Sequence, residues 1–321
     1  MKCPLCKDSH TEIIYRQKYA HFTDGKTSMP LEVSLCSKCG FVFQNSAYND
    51  KYDKKVVLTY QNYRMSDNFA FPRQDKKSLD SLQFIIKNGK IDKNSNILEI
   101  GSDRGDFLYL LHEKTGANVM GIEPVTLQIP KFPTVRGYFT RNSFCSKFDL
   151  IILKHTLEHI KNPKEFMVEV WESLSENGLV YTEVPSLDVV MSHFLEDFSL
   201  EHVSYFSQDS LLRLLKGYEV VSIDNSHFLR ILAKRKASKK ILYKKPDIAK
   251  TRIFFAEFSR RLRALEQKII LHSQRNIVIF YGVGLYFQAL LARLMKKSAG
   301  GGGGLMFREL LLYRLRHCGS N

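Results

Sequence analysis

The chain has 321 residues, of which 44% are hydrophobic and 25% are charged, and this composition is typical of a globular protein with two or three compact units. Residues 1–4 lack the apolar stretch of a secretory signal, and the late apolar segment 277–287 is too short to span a bilayer. We therefore expect a cytoplasmic protein without a transmembrane segment. The formal net charge of +15 favours an anionic partner, such as a nucleotide, a phosphorylated compound, nucleic acid or a membrane surface.

Two C-x-x-C pairs near the start of the chain predict a metal site. Cys3 and Cys6 form the first pair, and Cys36 and Cys39 form the second. Each pair directs two sulfurs at one point, and four thiolates suit tetrahedral Zn²⁺ with bonds of about 2.3 Å. Because four sulfurs leave no open position, the ion would be structural and would replace a core that so short a segment cannot build. We expect a zinc-binding domain, of the ribbon or knuckle type, over residues 1–48; a redox dithiol is the alternative.

A helical segment connects this unit to the next one. Residues 49–94 are expected to form a helical lead-in that serves as a lid. Within it, Leu79 and Leu82 lie on one face of a helix predicted between residues 66 and 90.

Residues 96–124 predict a parallel βαβ unit. An apolar run ends at Gly101, apolar positions after Gly105 recur at helical spacing, and a second apolar run is closed by Glu123. In open α/β sheets, ligands bind at the carboxyl ends of the strands. The two glycines let the backbone approach a ligand closely, and Glu123 can accept hydrogen bonds from two ribose hydroxyls. The unit therefore predicts a site for a ribose-containing cofactor.

The residues of this glycine turn indicate which cofactor is favoured. Asp103 replaces the middle glycine of a dinucleotide fingerprint, which disfavours NAD. The segments E-I-G-S-D-R-G at 99–105 and G-I-E-P at 121–124 resemble motifs I and II of class I S-adenosylmethionine (SAM) methyltransferases. The resemblance implies SAM as the cofactor and, over residues 95–235, a Rossmann-like α/β core with a seven-stranded, mostly parallel sheet; a Rossmann-like unit without cofactor is the alternative. It assigns cofactor binding to Glu99, Gly101, Ser102, Asp103, Gly105, Glu123 and Pro124.

Two more polar side chains come at the carboxyl ends of predicted strands. His155 follows a strand predicted over residues 148–153, and Glu183 lies near the end of one predicted over residues 179–184, after a turn. Both are expected to reach the same cleft. For His155, contact with the cofactor or acceptor and a structural role are equal alternatives. The Glu-His pair at 158–159 is expected to be structural.

Two further segments narrow the resemblance. The pattern P-L-x-x-x-x-C-x-x-C-G from residue 30 and E-H-x-x-Y-F-S from residue 201 are similar to segments of sugar C-methyltransferases, which carry a zinc domain and act on nucleotide-linked deoxysugars. In that family the Glu-His pair lies beside the acceptor, so the resemblance assigns orientation or deprotonation of the acceptor to Glu201 and His202. SAM is already an electrophile, and the protein mainly aligns the nucleophile and removes one proton. Tyr63 and Tyr205 are candidate acceptor contacts.

The alternatives to these assignments are packing or capping by Glu201 and His202, and core packing by Tyr63. A tyrosine that precedes the Glu-His pair in the family is missing here. The methylated atom is therefore open between carbon, oxygen and nitrogen.

The end of the chain departs from the family pattern. Residues 236–299 predict a basic helical segment, with an amphipathic helix over 253–271, and the start of a second Rossmann-like unit. The glycine run and tail at 300–321 are expected to be disordered. A full family member would continue further, so we expect a partial, truncated C-terminal α/β segment.

The sequence as a whole predicts a methyltransferase that uses SAM and structural Zn²⁺. Its acceptor would be an anionic small molecule: a sugar, a nucleotide-sugar or a phosphorylated precursor of a surface glycan. The alternatives are a zinc-ribbon protein that binds nucleic acid and a non-catalytic scaffold. Nucleic acid gains no support from RNA-binding aromatic motifs, and the oligomeric state is not predicted.

Overall fold

The computed structural model describes residues 1–20, 28–45, 75–125, 131–193, 198, 201–236 and 246–273. A short 3₁₀ turn covers Leu157–His159. The strands are β1 (Thr11–Ala20), β2 (Ser28–Cys36), β3 (Val42–Gln44), β4 (Asn96–Ile100), β5 (Asn118–Glu123), β6 (Thr134–Arg136), β7 (Phe148–Lys154), β8 (Leu174–Pro185), β9 (Ser204–Tyr205), β10 (Glu219–Asp224) and β11 (Phe228–Lys234). The helices are α1 (Lys76–Gly89), α2 (Asp106–Thr115), α3 (Pro163–Ser173), α4 (Leu187–His193), α5 (Gln208–Leu214) and α6 (Ile248–Ser273).

Seven strands form the main sheet, in the order β10-β11-β8-β7-β4-β5-β6. The five strands from β8 to β6 pair in parallel, whereas β11 is antiparallel to both of its neighbours, β8 and β10. This arrangement confirms the predicted Rossmann-like core with a mostly parallel sheet of seven strands. The glycine turn after β4 therefore lies at the edge of the sheet where parallel strands end, which is the position expected for a ligand site.

The apolar pattern explains why these segments pair at the centre. In β7, Leu150, Ile151, Ile152 and Leu153 are all fully buried, so both faces of the strand are covered. Central parallel strands show such continuous apolar runs because helices cover both sides of the sheet. The buried side chains of α2 lie on one face of that helix and pack in the same core as Leu150 and Ile152.

Strand β8 differs from its predicted form. The sequence predicts a turn at residues 177–178 before a strand that begins at Leu179, but β8 already begins at Leu174. Leu174 pairs with Phe148 and Leu179 pairs with Leu150, so the predicted turn is a bulge within the strand. Asn177 adopts a left-handed conformation with φ of 62° in this bulge, a conformation that asparagine tolerates better than most residues.

A second, smaller sheet has the order β1-β2-β3-β9. Its last strand comes from far downstream, since Val42 pairs with Tyr205. Tyr15 of β1 packs against Phe198 and against Phe255 of α6, with ring centroids 5.7 and 6.1 Å apart. The smaller sheet is therefore completed and covered by later parts of the chain.

Several predicted segments fall wholly or partly outside the described residues. Most of the lead-in at 49–74, the candidate acceptor contact Tyr63 and residues 274–321 are among them. The predicted amphipathic helix is described and is longer than expected, covering Ile248–Ser273. No helix in the described ranges combines the length and the apolar character needed to cross a bilayer.

Gly121 of β5 gives a test of the packing behind the glycine turn. A Cβ at this position would overlap the Ser102 hydroxyl and lie 2.8 Å from Ser102 Cβ. We expect Gly121→Ala to lower the free energy of unfolding by about 1–3 kcal/mol, as overpacked cores do. The double variant Gly121→Ala/Ser102→Gly should recover most of this loss, and chemical denaturation measures both.

Gly89→Ala is the matched control, because a Cβ there meets no atom closer than 3.4 Å. It should leave stability unchanged or slightly raised, since alanine favours helix more than glycine does. Equal losses in Gly121→Ala and in the double variant would contradict the packing argument.

Candidate active site

The turn after β4 requires glycine at both of its ends. Gly101 and Gly105 have φ angles of 78° and 83°, in the left-handed region that other residues avoid. A Cβ on Gly101 would also lie 2.7 Å from Thr156 Oγ1. That hydroxyl donates to the carbonyl of Ile100 over 2.8 Å and holds the end of β4 against the loop after β7. The backbone of the turn is thus fixed in one conformation.

Glu123 ties this turn to the end of β5. Its side chain accepts hydrogen bonds from the backbone N–H of Asp103, at 3.2 Å, and of Val125, at 2.8 Å. Each carboxylate oxygen keeps further acceptor capacity for a ligand hydroxyl. Pro124 follows directly, and Asp103 itself has a left-handed φ of 47°. The structure brings all the predicted cofactor residues of the turn and of β5 together; their binding of a cofactor stays a prediction.

Two buried polar atoms at this place have no hydrogen-bond partner among the described residues. They are Oε2 of Glu99, at the carboxyl end of β4, and Oγ of Ser102 in the turn. Burial raises the pKa of Glu99 to about 8, and the nearby acids Asp103 and Glu123 add to the rise while Lys154 opposes it. Buried polar atoms are nearly always paired in native proteins. These two atoms therefore fit a polar group of a bound ligand.

Arg104 is the residue that departs from the resembled motif. Its guanidinium donates to the Asp106 carboxylate, with Nη2 and Oδ2 2.7 Å apart, and only 12% of its side chain is exposed. Asp106 lies in the first turn of α2, where the helix dipole also favours an acidic side chain. The positive charge of Arg104 is therefore neutralised within the turn.

Glu183 lies at the centre of a buried network at the carboxyl end of β8. Its side chain is fully buried, and its Oε2 accepts hydrogen bonds from Ser81 Oγ, Tyr181 OH and Arg230 Nε at 2.5, 2.5 and 2.8 Å. Burial alone would raise the pKa of Glu183, but the hydrogen bond to His155 and the charge of Lys154 hold it far below its ordinary value. The carboxylate predicted to contact the acceptor is thus enclosed by protein groups.

His155 bridges this network to a second acid. Its Nε2 lies 3.2 Å from Glu183 Oε1, and its Nδ1 lies 3.3 Å from Glu158 Oε1. Burial would lower the pKa of His155, but hydrogen bonds to Glu158 and Glu183 raise it above the ordinary value. A protonated ring donates from both nitrogens. His155 is therefore suited to carry a positive charge beside the crevice rather than to accept a proton.

The other predicted catalytic pair, Glu201 and His202, lies against the 3₁₀ turn that follows β7. The backbone carbonyl of Glu201 lies 3.0 Å from His159 Nδ1, and the rings of His159 and His202 have centroids 5.1 Å apart. His202 also borders a small cleft formed otherwise by Pro185, Leu187, Val190, Phe198, Ser204 and Tyr205.

Tyr205, the remaining predicted acceptor contact, belongs to β9. Only 5% of its surface is exposed, and its ring packs on Phe198 with centroids 5.2 Å apart. Its phenol ring contributes to the core between the two sheets. A role toward the acceptor would rest on the part that borders the small cleft.

Two residues that no sequence pattern indicated, Ser81 and Arg230, also belong to the site. Arg230 stands directly opposite Glu183 in the pairing of β11 with β8, and Ser81 reaches Glu183 from α1. Glu158, which the sequence indicated only as a structural residue, is a buried acid with 1% exposure beside His155. No local signal marks Ser81 or Arg230, because their partners are known only once the register and the helix position are known.

The four cysteines of the N-terminal pairs meet at one point. Their four sulfurs all lie within 4.8 Å of one another, and the Sγ atoms of Cys3 and Cys39 and those of Cys6 and Cys36 are each 3.6 Å apart. All four are free thiols. A tetrahedral site with bonds of about 2.3 Å has edges of about 3.8 Å, close to these separations. The donor set therefore fits the predicted Zn²⁺.

The thiols also interact strongly with one another. The hydrogen bond to Cys36, followed by burial, raises the pKa of Cys3 to about 12, whereas hydrogen bonds from Cys3 and Cys39 lower the pKa of Cys36 to about 2. Four thiols this close together cannot all ionise without a cation. A divalent cation would allow all four to ionise.

Residues 71–223 match the family model described as a methyltransferase domain. A solved protein from Pyrococcus horikoshii is similar with 15% identity and a TM-score of 0.45, covering 55% of this chain and 99% of that one. A SAM-dependent methyltransferase from Thermotoga maritima, described as a possible histamine N-methyltransferase, is similar with 16% identity and a TM-score of 0.41, covering 58% and 99%. One from Methanosarcina mazei has 16% identity and a TM-score of 0.37, covering 48% and 98%. No curated protein matches the sequence.

The Glu183 network can be tested through Arg230. Removing one partner of a buried pair leaves the other charge uncompensated, so Arg230→Met should lower the free energy of unfolding by about 3–5 kcal/mol. The control is Arg141→Met, because Arg141 and Glu172 form an ion pair whose side chains are 61% and 39% exposed. That variant should lose at most about 1 kcal/mol. Similar losses in urea denaturation of the two variants would contradict the assigned role of Glu183.

Proposed function

We propose that this protein transfers the methyl group of SAM to a sugar, a nucleotide-sugar or a small phosphorylated glycan precursor. The match of residues 71–223 to a methyltransferase domain model supports the reaction class. The observation that carries the proposal is the crevice at the ends of β4 and β5. There a glycine turn, the acceptor oxygens of Glu123 and the unpaired oxygen of Glu99 lie side by side. This set offers backbone access, acceptors for ribose hydroxyls and a buried carboxyl for a cationic group.

In this proposal each element of the crevice holds a different part of SAM. Glu123 accepts hydrogen bonds from the ribose hydroxyls. The turn from Gly101 to Gly105 lets the cofactor approach the backbone, and Glu99 with Ser102 receives polar groups of the methionine end. A cationic group beside Glu99 would also lower the high pKa of this buried carboxyl, because an opposite charge favours the ionised form. When bound, SAM supplies an electrophilic methyl group, so the protein needs to align an acceptor and remove one proton.

The acceptor would lie on the side of His155, Glu201 and His202. His155 lies between two acids whose hydrogen bonds raise its pKa, and it is suited to orient a polar or anionic acceptor. His202 is our candidate for the proton acceptor, since a histidine near neutrality can take a proton from a hydroxyl or an ammonium group. The net charge of +15 supports an anionic acceptor, and the resemblance to sugar methyltransferases supports a carbohydrate.

The zinc proposal concerns stability rather than chemistry. Four thiolates would close the coordination shell of Zn²⁺, so the ion would have no position for substrate. Cys3, Cys36 and Cys39 belong to the same buried cluster as Phe41 and as Phe206 of the methyltransferase domain. The metal would therefore support the contact between the smaller sheet and the core.

Isothermal titration with SAM tests the cofactor proposal. The wild-type protein should bind SAM with one site, and Glu123→Gln should weaken binding by at least about tenfold, because a hydrogen bond to a charged group contributes about 1.5–3 kcal/mol. Glu113→Gln on the exposed face of α2 is the matched control and should bind like the wild type. Absence of binding at millimolar SAM would overturn the proposal.

The same protein then identifies the acceptor class. Mass spectrometry of reactions with SAM and a panel of sugars, nucleotide-sugars and phosphorylated precursors should reveal one product heavier by a methyl group. SAM binding without any product would contradict the acceptor class but leave the cofactor proposal standing. Binding to nucleic acid that falls steeply with salt, without SAM binding, would instead favour the alternative function.

Metal removal tests the zinc proposal. The purified protein should carry one Zn²⁺ per chain at the cysteines, and Cys36→Ser should lose it. Extraction with a chelator should lower the thermal midpoint and expose apolar surface, because binding energy of a structural metal is folding energy. Cys145→Ser is the control, since Cys145 is exposed and outside the cluster. Equal metal content in Cys36→Ser and the wild type would refute the assignment.

A further inference from the structure

A cluster of side chains of metal-ligand type, separate from the four cysteines, lies at the 3₁₀ turn after β7. Glu158 and His159 come from the turn, and His202 comes from the segment before β9. One possible ligand atom from each residue lies within 4.8 Å of the other two. His202 lies 43 positions after His159 and 44 positions after Glu158 (202 minus 159 and 202 minus 158). Only the folded chain brings them together.

The carboxylate of Glu158 has one oxygen available for a ligand. Its Oε1 lies 3.3 Å from His155 Nδ1, whereas its Oε2 is buried and has no hydrogen-bond partner within the described ranges. The side chain is 2% exposed. A buried carboxylate with a vacant acceptor atom is costly unless a cation or a donor accompanies it.

The orientation of His159 is also fixed in a way that suits coordination. Its Nδ1 lies 3.0 Å from the carbonyl oxygen of Glu201, and a carbonyl can only accept, so Nδ1 carries the proton. The lone pair of the neutral ring is then on Nε2. Metal-binding histidines usually donate their other N–H to a carbonyl or a carboxylate in this manner. His155 acts in the same way on Glu158, as a hydrogen-bond donor that orients the acid.

We infer that Glu158, His159 and His202 form a binding site for a divalent transition metal, separate from the four cysteines. Two imidazoles and one carboxylate suit Zn²⁺, Co²⁺, Ni²⁺ or Fe²⁺, whereas Mg²⁺ and Ca²⁺ prefer oxygen ligands. Three protein ligands leave at least one coordination position for water or for an oxygen of a small molecule.

This inference goes beyond the proposed function and does not depend on it. A metal on His202 would occupy the lone pair that otherwise takes a proton from the acceptor. The bound ion and the proton-accepting role of His202 therefore exclude each other. With a transition metal bound, an anionic or hydroxyl group on the acceptor side of the crevice would meet a metal ion instead of the imidazole of His202.

A cobalt titration followed by absorption spectroscopy tests the site in the full chain, with Zn²⁺ kept at the cysteines. The wild-type protein should bind one further equivalent of Co²⁺ and develop weak visible bands without the charge-transfer bands of thiolate ligands. His159→Ala and His202→Ala should each weaken this binding by more than about 100-fold, since even the loss of an outer hydrogen bond costs about 10–100-fold. His155→Gln changes only an outer hydrogen bond to Glu158 and should therefore weaken Co²⁺ binding by about 10–100-fold.

His193→Ala is the matched control, because this exposed histidine on α4 contacts only neighbours of its own helix in the hydrogen bonds described. It should bind Co²⁺ like the wild type. Circular dichroism of each variant separates loss of a ligand from loss of the fold. The inference is overturned if the wild type takes up no equivalent beyond the cysteine site, or if folded His159→Ala and His202→Ala bind as tightly as the control.

Discussion

The buried carboxylate of Glu183 is the interaction on which the candidate site depends. It receives a hydrogen bond from α1 through Ser81, from its own strand through Tyr181, and from β11 through Arg230. Its other oxygen lies near His155 in the loop after β7. A charge without exposed surface is stable only when such partners surround it. One residue therefore fixes the relative positions of a helix, two strands and the loop after β7.

The consequences extend from Glu183 into the crevice. His155 takes a left-handed backbone conformation with φ of 51°, which costs energy for a residue other than glycine. The contacts with the two acids on either side of its ring compensate for this cost. Because His155 in turn orients Glu158, the polar groups at the ends of β7 and β8 form one connected arrangement. A change at Arg230 would thus be felt at Glu158 through two intermediate side chains.

The smaller sheet shows how the cysteine unit and the core depend on each other. Residues 204–205 complete this sheet as β9, directly after the segment that carries Glu201 and His202. Cys3, Cys36 and Cys39 belong to a buried cluster that continues into the main core, and Cys6 packs against it. A structural ion at the cysteines would therefore help to position His202, although the two lie in parts of the chain that the sequence separates widely.

The sequence by itself determined the parts of this protein that rest on local pattern. The apolar runs of β4, β5 and β7 and the two glycines of the turn were predictable, because periodicity and backbone freedom are properties of neighbouring residues. The spacing of the cysteines likewise indicated four sulfurs directed at one ion. Only the tertiary structure decided the surroundings of Glu183 and Glu158. Ser81 and Arg230 lie 102 and 47 positions from Glu183, and His202 lies 44 from Glu158 (202 minus 158). Such contacts follow from strand register and helix placement, which no short stretch of sequence encodes.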